Sequence, residues 1–229
     1  MNTKISTYEQ FDKSYPGFGG YLPWISVVDG VVTPASDWQD RVPSLDNGEL
    51  FWAVYGLVQV LDTKFPTQRT LRNRWEEVVE KMVKNSVPIF YEGDGKIRTE
   101  TKIADPKKSV EENTYTRAQA ECNDTIVCYL DDPYEGEMFA MMMTLFAPFS
   151  SPKEKDSIWT LKRAKLQPAD LNVRYNNTDY KITVQKGWWY SAHEIWKYLF
   201  LPYTDSTLNR KLFINGEKAR TWDAYNQGR

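Results

Sequence analysis

Hydrophobic positions along the chain recur with two periods, and the switches between them mark the elements. Leu71, Trp75, Val78, Val79, Met82 and Val83 return every three or four residues, with Arg72, Arg74, Glu76, Glu77, Glu80 and Lys81 between them. That is one apolar stripe on a charged helix. The preceding run, Leu50 to Leu61, is apolar almost all round and predicts a helix buried on most sides. Glu137 to Phe146 is strongly apolar and rich in Met, the mark of a soft, gap-filling core helix. Helical patterns follow over 191–201 and 206–224. Period-two patterns broken by turn residues predict three hairpins: Ile25 to Val32 around Asp29-Gly30, 89–103 around Glu92 to Gly95, and Val173 to Val184 around Asn176 to Asp179. Residues 104–124 carry almost no large aliphatic side chain and predict an exposed insertion. Helices in series joined by small hairpins, without alternating strand and helix, predict a mainly α fold in one domain over 1–229, a helical toroid and not a parallel sheet.

Local signals refine the ends. Asp46 to Glu49 has the spacing of a capping box before the first buried helix, and Asp132-Pro133 with Glu135 has it before the Met-rich one. Tyr15 to Trp24 sets three glycines and two prolines among four aromatics, so a turn-rich loop is expected there, with its backbone close to something.

Composition narrows the function. The formal net charge is −2 with both signs interspersed, so no basic stripe exists to neutralise a phosphate backbone, and nucleic acid is not an expected partner. Residues 1–14 lack the apolar core of a secretory signal, and the apolar runs fall short of the ~20 residues that span a bilayer. Membrane association is therefore not expected, and the compartment stays open. One histidine, His193, and two cysteines, Cys122 and Cys128, offer no metal cluster, so neither a metal nor a cofactor is expected. The two cysteines suit either a short disulfide or two thiols. Nine Trp, fourteen Tyr and ten Phe are many for this length; most belong in a core, but flat rings also suit a cleft that holds sugar faces.

With neither a nucleophile elbow nor a phosphate loop, carboxylates are the available acid–base groups. A pair of them flanking a bond is what glycoside hydrolysis requires. Glu137 stands out because it precedes Met138 to Met141 directly, where an unpaired carboxylate is costly and its proton affinity rises, as a general acid needs. Glu135 is the second choice and has a competing role as a cap partner. Trp38, Asp40, Trp188, Trp189, His193 and Glu194 are candidates for substrate contact, the last four forming a polar pair in an aromatic wall.

In their order along the chain, four segments resemble the glucoamylase-like domain family, which includes the endo-β-1,2-glucanases. They are Gly17-Phe-Gly-Gly-Tyr-Leu22, Ser44-Leu-Asp-Asn-Gly-Glu-Leu50, Tyr134 to Leu145 with Ser151-Pro152, and Trp189-Tyr-Ser-Ala-His-Glu-Ile-Trp196. The resemblance implies an (α/α)6 barrel, Asp46 in the sugar-binding cleft and Glu137 as the catalytic acid of an inverting hydrolase. It also implies a base beyond the last of these segments. The chain is expected to be a fragment that lacks this base. The expected function is hydrolysis of a β-glucan, most naturally β-1,2-linked, with an oligo- or polysaccharide as partner. The alternatives are a non-catalytic carbohydrate-binding toroid and a glucan transglycosylase. A fragment of this kind is also expected to end in a helix with nothing left to pack against.

Overall fold

A computed structural model describes residues 1–122, 128–130, 136–186 and 195–229 of the protein. Its described residues are mainly helical, with three small antiparallel sheets. Helices α2 (Leu45–Lys64) and α3 (Arg69–Phe90) form an antiparallel pair across the short turn at 65–68. Helix α4 (Glu137–Phe146) lies beside α2 in the same direction, since Gly48 meets Phe139 at one end and Tyr55 meets Phe146 a turn or two further on, with ring centroids 5.3 Å apart. The approach at the first point is so close that a Cβ on Gly48 would sit 2.6 Å from the Phe139 backbone nitrogen. Trp52 fixes the register by donating its indole N–H to the Met138 carbonyl at 2.9 Å. The N-termini of α2 and α4 therefore lie at the same end of the core.

That core is one cluster built from Phe51, Met82, Phe90, Phe139, Met142 and Met143, all fully buried. The Met-rich helix is thus core, as its composition implies. Helix α1 (Asn2–Ser14) joins the same cluster through Ile5, Tyr8 and Phe11. Those three residues recur every third position, a stripe masked by the polar residues between them. Helix α5 (Pro152–Lys165) begins with Pro152 in its first turn after Ser151, where the missing N–H of proline costs nothing, and buries Ile158 against the core.

Two of the three hairpins form as expected. Strands β1 (Ile25–Val28) and β2 (Val31–Pro34) pair around Asp29 and Gly30, both at positive φ, the geometry of a two-residue turn that matches strand twist. Strands β6 (Pro168–Tyr175) and β7 (Thr178–Gln185) pair around Asn176 and Asn177, again both at positive φ. The third expectation is corrected. Helix α3 runs on to Phe90, and Tyr91 and Ile97 make a single bridge. The strand that follows, β4 (Glu100–Ile103), pairs with β3 (Arg41–Pro43) on one side and β5 (Tyr115–Arg117) on the other. Long-range pairing captured a segment that reads locally as half of a hairpin.

The described part of 104–124 is mostly exposed or half-buried, yet it is tied down. The Asn113 amide donates to the Asp105 carbonyl at 2.6 Å, and the Tyr115 hydroxyl donates to the Gly17 carbonyl at 2.8 Å. Cys122 and Cys128 are joined in a disulfide, which settles the choice left open by the sequence. Toward the C-terminus, α6 (Trp196–Phe200) leads to α7 (Thr207–Asn226). Helix α7 lies on the β6–β7 hairpin, where Trp222 stacks on Tyr175 at 5.2 Å and meets Tyr180 at 4.8 Å. The expectation of a last helix without a packing partner is therefore wrong; the hairpin covers it. No helix among the described residues is long and apolar enough to cross a membrane.

Candidate active site

The glycine-rich loop after α1 shows why its residues are small. Gly17 donates its N–H to the Pro106 carbonyl at 3.0 Å, and a Cβ there would fall 2.8 Å from the Asn113 amide nitrogen. Gly19, at φ 61°, has its carbonyl held by the Asn85 side chain at 3.0 Å. The close partners are thus α3 and the 104–122 segment. Tyr21 is anchored beneath them, its hydroxyl donating to the Met82 carbonyl at 2.5 Å, and burial pushes its phenol far up. The loop then meets the start of α2. Asn47, almost fully buried, accepts the Leu22 N–H at 2.9 Å and donates back to the Leu22 and Pro43 carbonyls.

This fixed base carries an exposed aromatic platform. Trp24 and Trp38 stack with centroids 4.9 Å apart and planes 27° from parallel, and Trp24 is 57% exposed. The Trp24 indole N–H donates to an Asp46 carboxylate oxygen at 2.8 Å. Asp46 is not the helix cap its spacing suggested. Helix α2 starts one residue before it, and Ser44, in the cap position, spends its hydroxyl on the Arg98 and Thr99 carbonyls. The long-range tie to the Arg98 and Thr99 backbone outweighs the local cap and frees Asp46 to face the platform.

At the same end, Glu137 opens α4. Gly136 before it takes the left-handed conformation at φ 75°, and the described helix runs from Glu137; the Asp132-Pro133 start suggested by spacing lies outside the described residues. Glu137 is 4% exposed. The expectation of an unpaired carboxylate is corrected: Lys197, on α6 and itself 3% exposed, pairs with Glu137 Oε2. The ammonium also donates to Gln185 Oε1 at the end of β7, at 2.6 Å, and lies over the rings of Tyr198 and Tyr203 at 5.4 and 5.7 Å. A buried ion pair of this kind holds only with such additional hydrogen bonds. Burial first, then the Glu137 charge, raises the Tyr203 phenol far above its ordinary range; the hydroxyl sits beside the carboxyl without a well-aligned bond among the described residues. The group opens on a cavity of about 420 Å³ that Trp159 and Arg163 of α5 also line.

Of the other candidates, Asp40 lies apart. It pairs with Arg41 at 3.6 Å and Lys102 at 3.7 Å and borders a separate cleft of about 510 Å³ with Tyr15, Gln39 and Asp105. Glu135, Trp188, Trp189, His193 and Glu194 fall outside the described residues. Lys197, Gln185 and Tyr203 were invisible to sequence reasoning because only the fold carries positions 185 to 203 onto a carboxylate at 137. Trp24 was visible only as one aromatic of its loop. Among the described residues no group of three or more His, Cys, Asp and Glu side chains is placed to hold a metal ion.

Fold and site together define a mainly helical protein with a buried carboxylate on a cavity and an exposed tryptophan platform at one end of its core. The sequence model of the endo-beta-1,2-glucanase SGL family matches residues 1–228, and the chain belongs to that family. Two solved structures of endo-β-1,2-glucanase from Talaromyces funiculosus are similar to it. One, of a glutamate-to-glutamine mutant with β-1,2-glucan, is 37% identical; the other, with sophorose, is 38% identical. Each superposes with a TM-score of 0.84 and covers 99% of this chain but 44% of the solved chain. The protein thus spans less than half the length of the structures it matches. Comparison with curated proteins gives no match.

Proposed function

We propose that the protein hydrolyses β-1,2-glucan, with Glu137 as the general acid and its helices forming part of an (α/α)6 toroid. The observation that carries this reading is Glu137 itself. It is a nearly buried carboxyl at a helix N-terminus, opening on a 420 Å³ cavity. Family membership supports an acid role for that carboxyl, since two relatives are endo-β-1,2-glucanases in complex with β-1,2-glucan and sophorose. The antiparallel α2–α3 pair and the parallel α2–α4 contact agree with helices winding around a common axis.

In the reaction, the protonated Glu137 carboxyl gives its proton to the glycosidic oxygen as the C–O bond breaks, so the departing oxygen leaves as a neutral hydroxyl. Water takes its place at the sugar carbon, losing a proton to a second carboxylate in an inverting displacement. The Trp24–Trp38 platform, with Asp46 accepting a hydrogen bond from the Trp24 indole N–H, offers an apolar face and an acceptor to a glucose ring. Asp46 and Trp38 are thus assigned to substrate contact, while Asp40 borders its own cleft. Replacement of Glu137 by Gln tests the reading. Glucan hydrolysis, followed as reducing ends, is expected to fall by about 10² to 10⁴ with oligosaccharide binding preserved. Undiminished turnover in that variant would remove Glu137 from the chemistry. Trp38→Ala is expected to weaken oligosaccharide binding by about 1 kcal/mol with little loss of melting temperature; the reverse pattern would make the platform core.

A further inference from the structure

Resting on the assignment of Glu137 as acid, we propose that Lys197 is a positioning residue that holds Glu137 Oε2 as an acceptor and so directs the transferable proton to Oε1. A carboxylic acid carries its proton on one oxygen, and which one decides where the proton can be delivered. An ammonium has three protons to donate and no lone pair. Placed against Oε2, it stabilises that oxygen as the carbonyl and disfavours a hydroxyl there, because two donors then face each other. In the ion pair the carboxyl is ionised; when it takes up a proton from solvent for the acid step, Oε1 is the oxygen left to carry it.

The geometry gives Lys197 the rigidity for this task. Its ammonium is fixed from three elements: Glu137 at the start of α4, Gln185 Oε1 at the end of β7 at 2.6 Å, and its own helix α6. The rings of Tyr198 and Tyr203 flank it within 6 Å, a cation–π arrangement. Arg163, Tyr198 and Tyr203 are the other ionisable groups on the cavity. Tyr203 also faces the Glu137 carboxyl, from the turn after α6, while Lys197 is the group whose hydrogen bonds tie that carboxyl to the end of β7. Lys197 is nearly inaccessible, at 3% exposure, so its role runs through Glu137 and not through bulk solvent.

The test uses the native full-length protein, with kinetics on β-1,2-glucan and a melting curve for every variant. Lys197→Met is expected to lower kcat by about 10²-fold while KM stays within about threefold, since misorientation of an acid by ~1 Å has that cost. Lys197→Arg, which restores a cationic donor, is expected to recover at least a tenth of the wild-type kcat. Gln185→Leu keeps the ion pair but removes one brace, and is expected to lower kcat by about tenfold with KM unchanged; it reports on the same role if Lys197→Met does not fold. Full kcat in both Lys197→Met and Gln185→Leu, beside an inactive Glu137→Gln, would overturn the inference and leave the acid assignment standing. Equal losses in Lys197→Met and Lys197→Arg that follow melting temperature would show a merely structural pair and overturn it too. An active Glu137→Gln would instead bring down the acid assignment on which the inference rests.

Discussion

The body built on α1 to α5 and the unit made by the β6–β7 hairpin with α7 are held together in different ways. In the body, whole rings and methionines such as Phe51, Phe90, Phe139 and Met142 lose all contact with solvent. In the unit, Val173, Val184 and Ala219 form a small buried cluster, Leu212 of α7 is buried as well, and Tyr175, Tyr180 and Trp222 lie over the cluster partly open to water. The Glu137 cluster sits on the seam: its carboxyl belongs to the body, its Gln185 brace to the hairpin, and Lys197 to the link between them. The difference teaches that a rigid body can hold the proposed acid while a weakly packed unit sets its contacts. Disturbing the unit should therefore reach the chemistry at little cost to global stability.

The largest effect is expected in the body. Phe51→Ala removes a fully buried ring in contact with Trp52, Tyr55 and Phe146, and should cost about 3–5 kcal/mol, read from chemical denaturation. A loss under 1 kcal/mol would mean that the two regions do not differ in packing. Gly48→Ala comes next. Its Cβ would press 2.6 Å from the Phe139 nitrogen, displacing the start of α4, and should cost about 1–3 kcal/mol. Because Glu137 lies two residues before Phe139, turnover should fall further than the stability loss alone explains. Trp222→Ala should cost about 1–2 kcal/mol, by loss of its two aromatic partners. Here the discriminating measurement is hydrogen exchange: amides of β6 and β7 should lose protection while those of α2 and α3 keep theirs. Uniform loss of protection would make body and unit one cooperative block.

How much of this was legible in the sequence follows the same division. Local rules located α2, α3, α4 and α7 and two hairpins, because stripes at three and four and Asp-Gly or Asn-Asn turns are properties of neighbouring residues. They missed α1, whose Ile5, Tyr8 and Phe11 are diluted by polar residues, and they misjudged 89–103, where β4 takes partners from positions 41–43 and 115–117. At the site, Glu137 and Asp46 could be named from spacing and resemblance. Their surroundings could not: Ser44 displaced Asp46 as the cap residue by reaching Arg98, and Lys197 closed on Glu137 across sixty positions. Non-local pairing decides what a carboxylate is for, and no window of sequence contains it.

The smallest expected effect sharpens the comparison within the body, at Glu92 just after α3. Burial works against the charge of this carboxyl. Hydrogen bonds from Tyr129 and Arg98 and the nearby Arg117 outweigh it, and hold Glu92 below the ordinary carboxylate range. A carboxyl whose affinity for protons is lower in the folded than in the unfolded state contributes stability that is complete above its unfolded pKa of about 4.3 and is lost as pH falls through the folded value. The contribution is modest, about 1 kcal/mol, for a partly exposed group with charged partners. Glu92→Gln should consequently lower the melting temperature at pH 7 by a few degrees and flatten the fall in stability between roughly pH 5 and 3. One of the unit's carboxylates, Asp170, is drawn the same way by Lys181, 2.9 Å away, but on an exposed strand face. Asp170→Asn should leave the acid limb of the stability curve where it is, because water and salt screen an exposed pair that a half-buried network keeps. Identical acid limbs for the two variants would show that the Glu92 network is no better protected than the surface pair, and that the body's advantage lies in its apolar core alone.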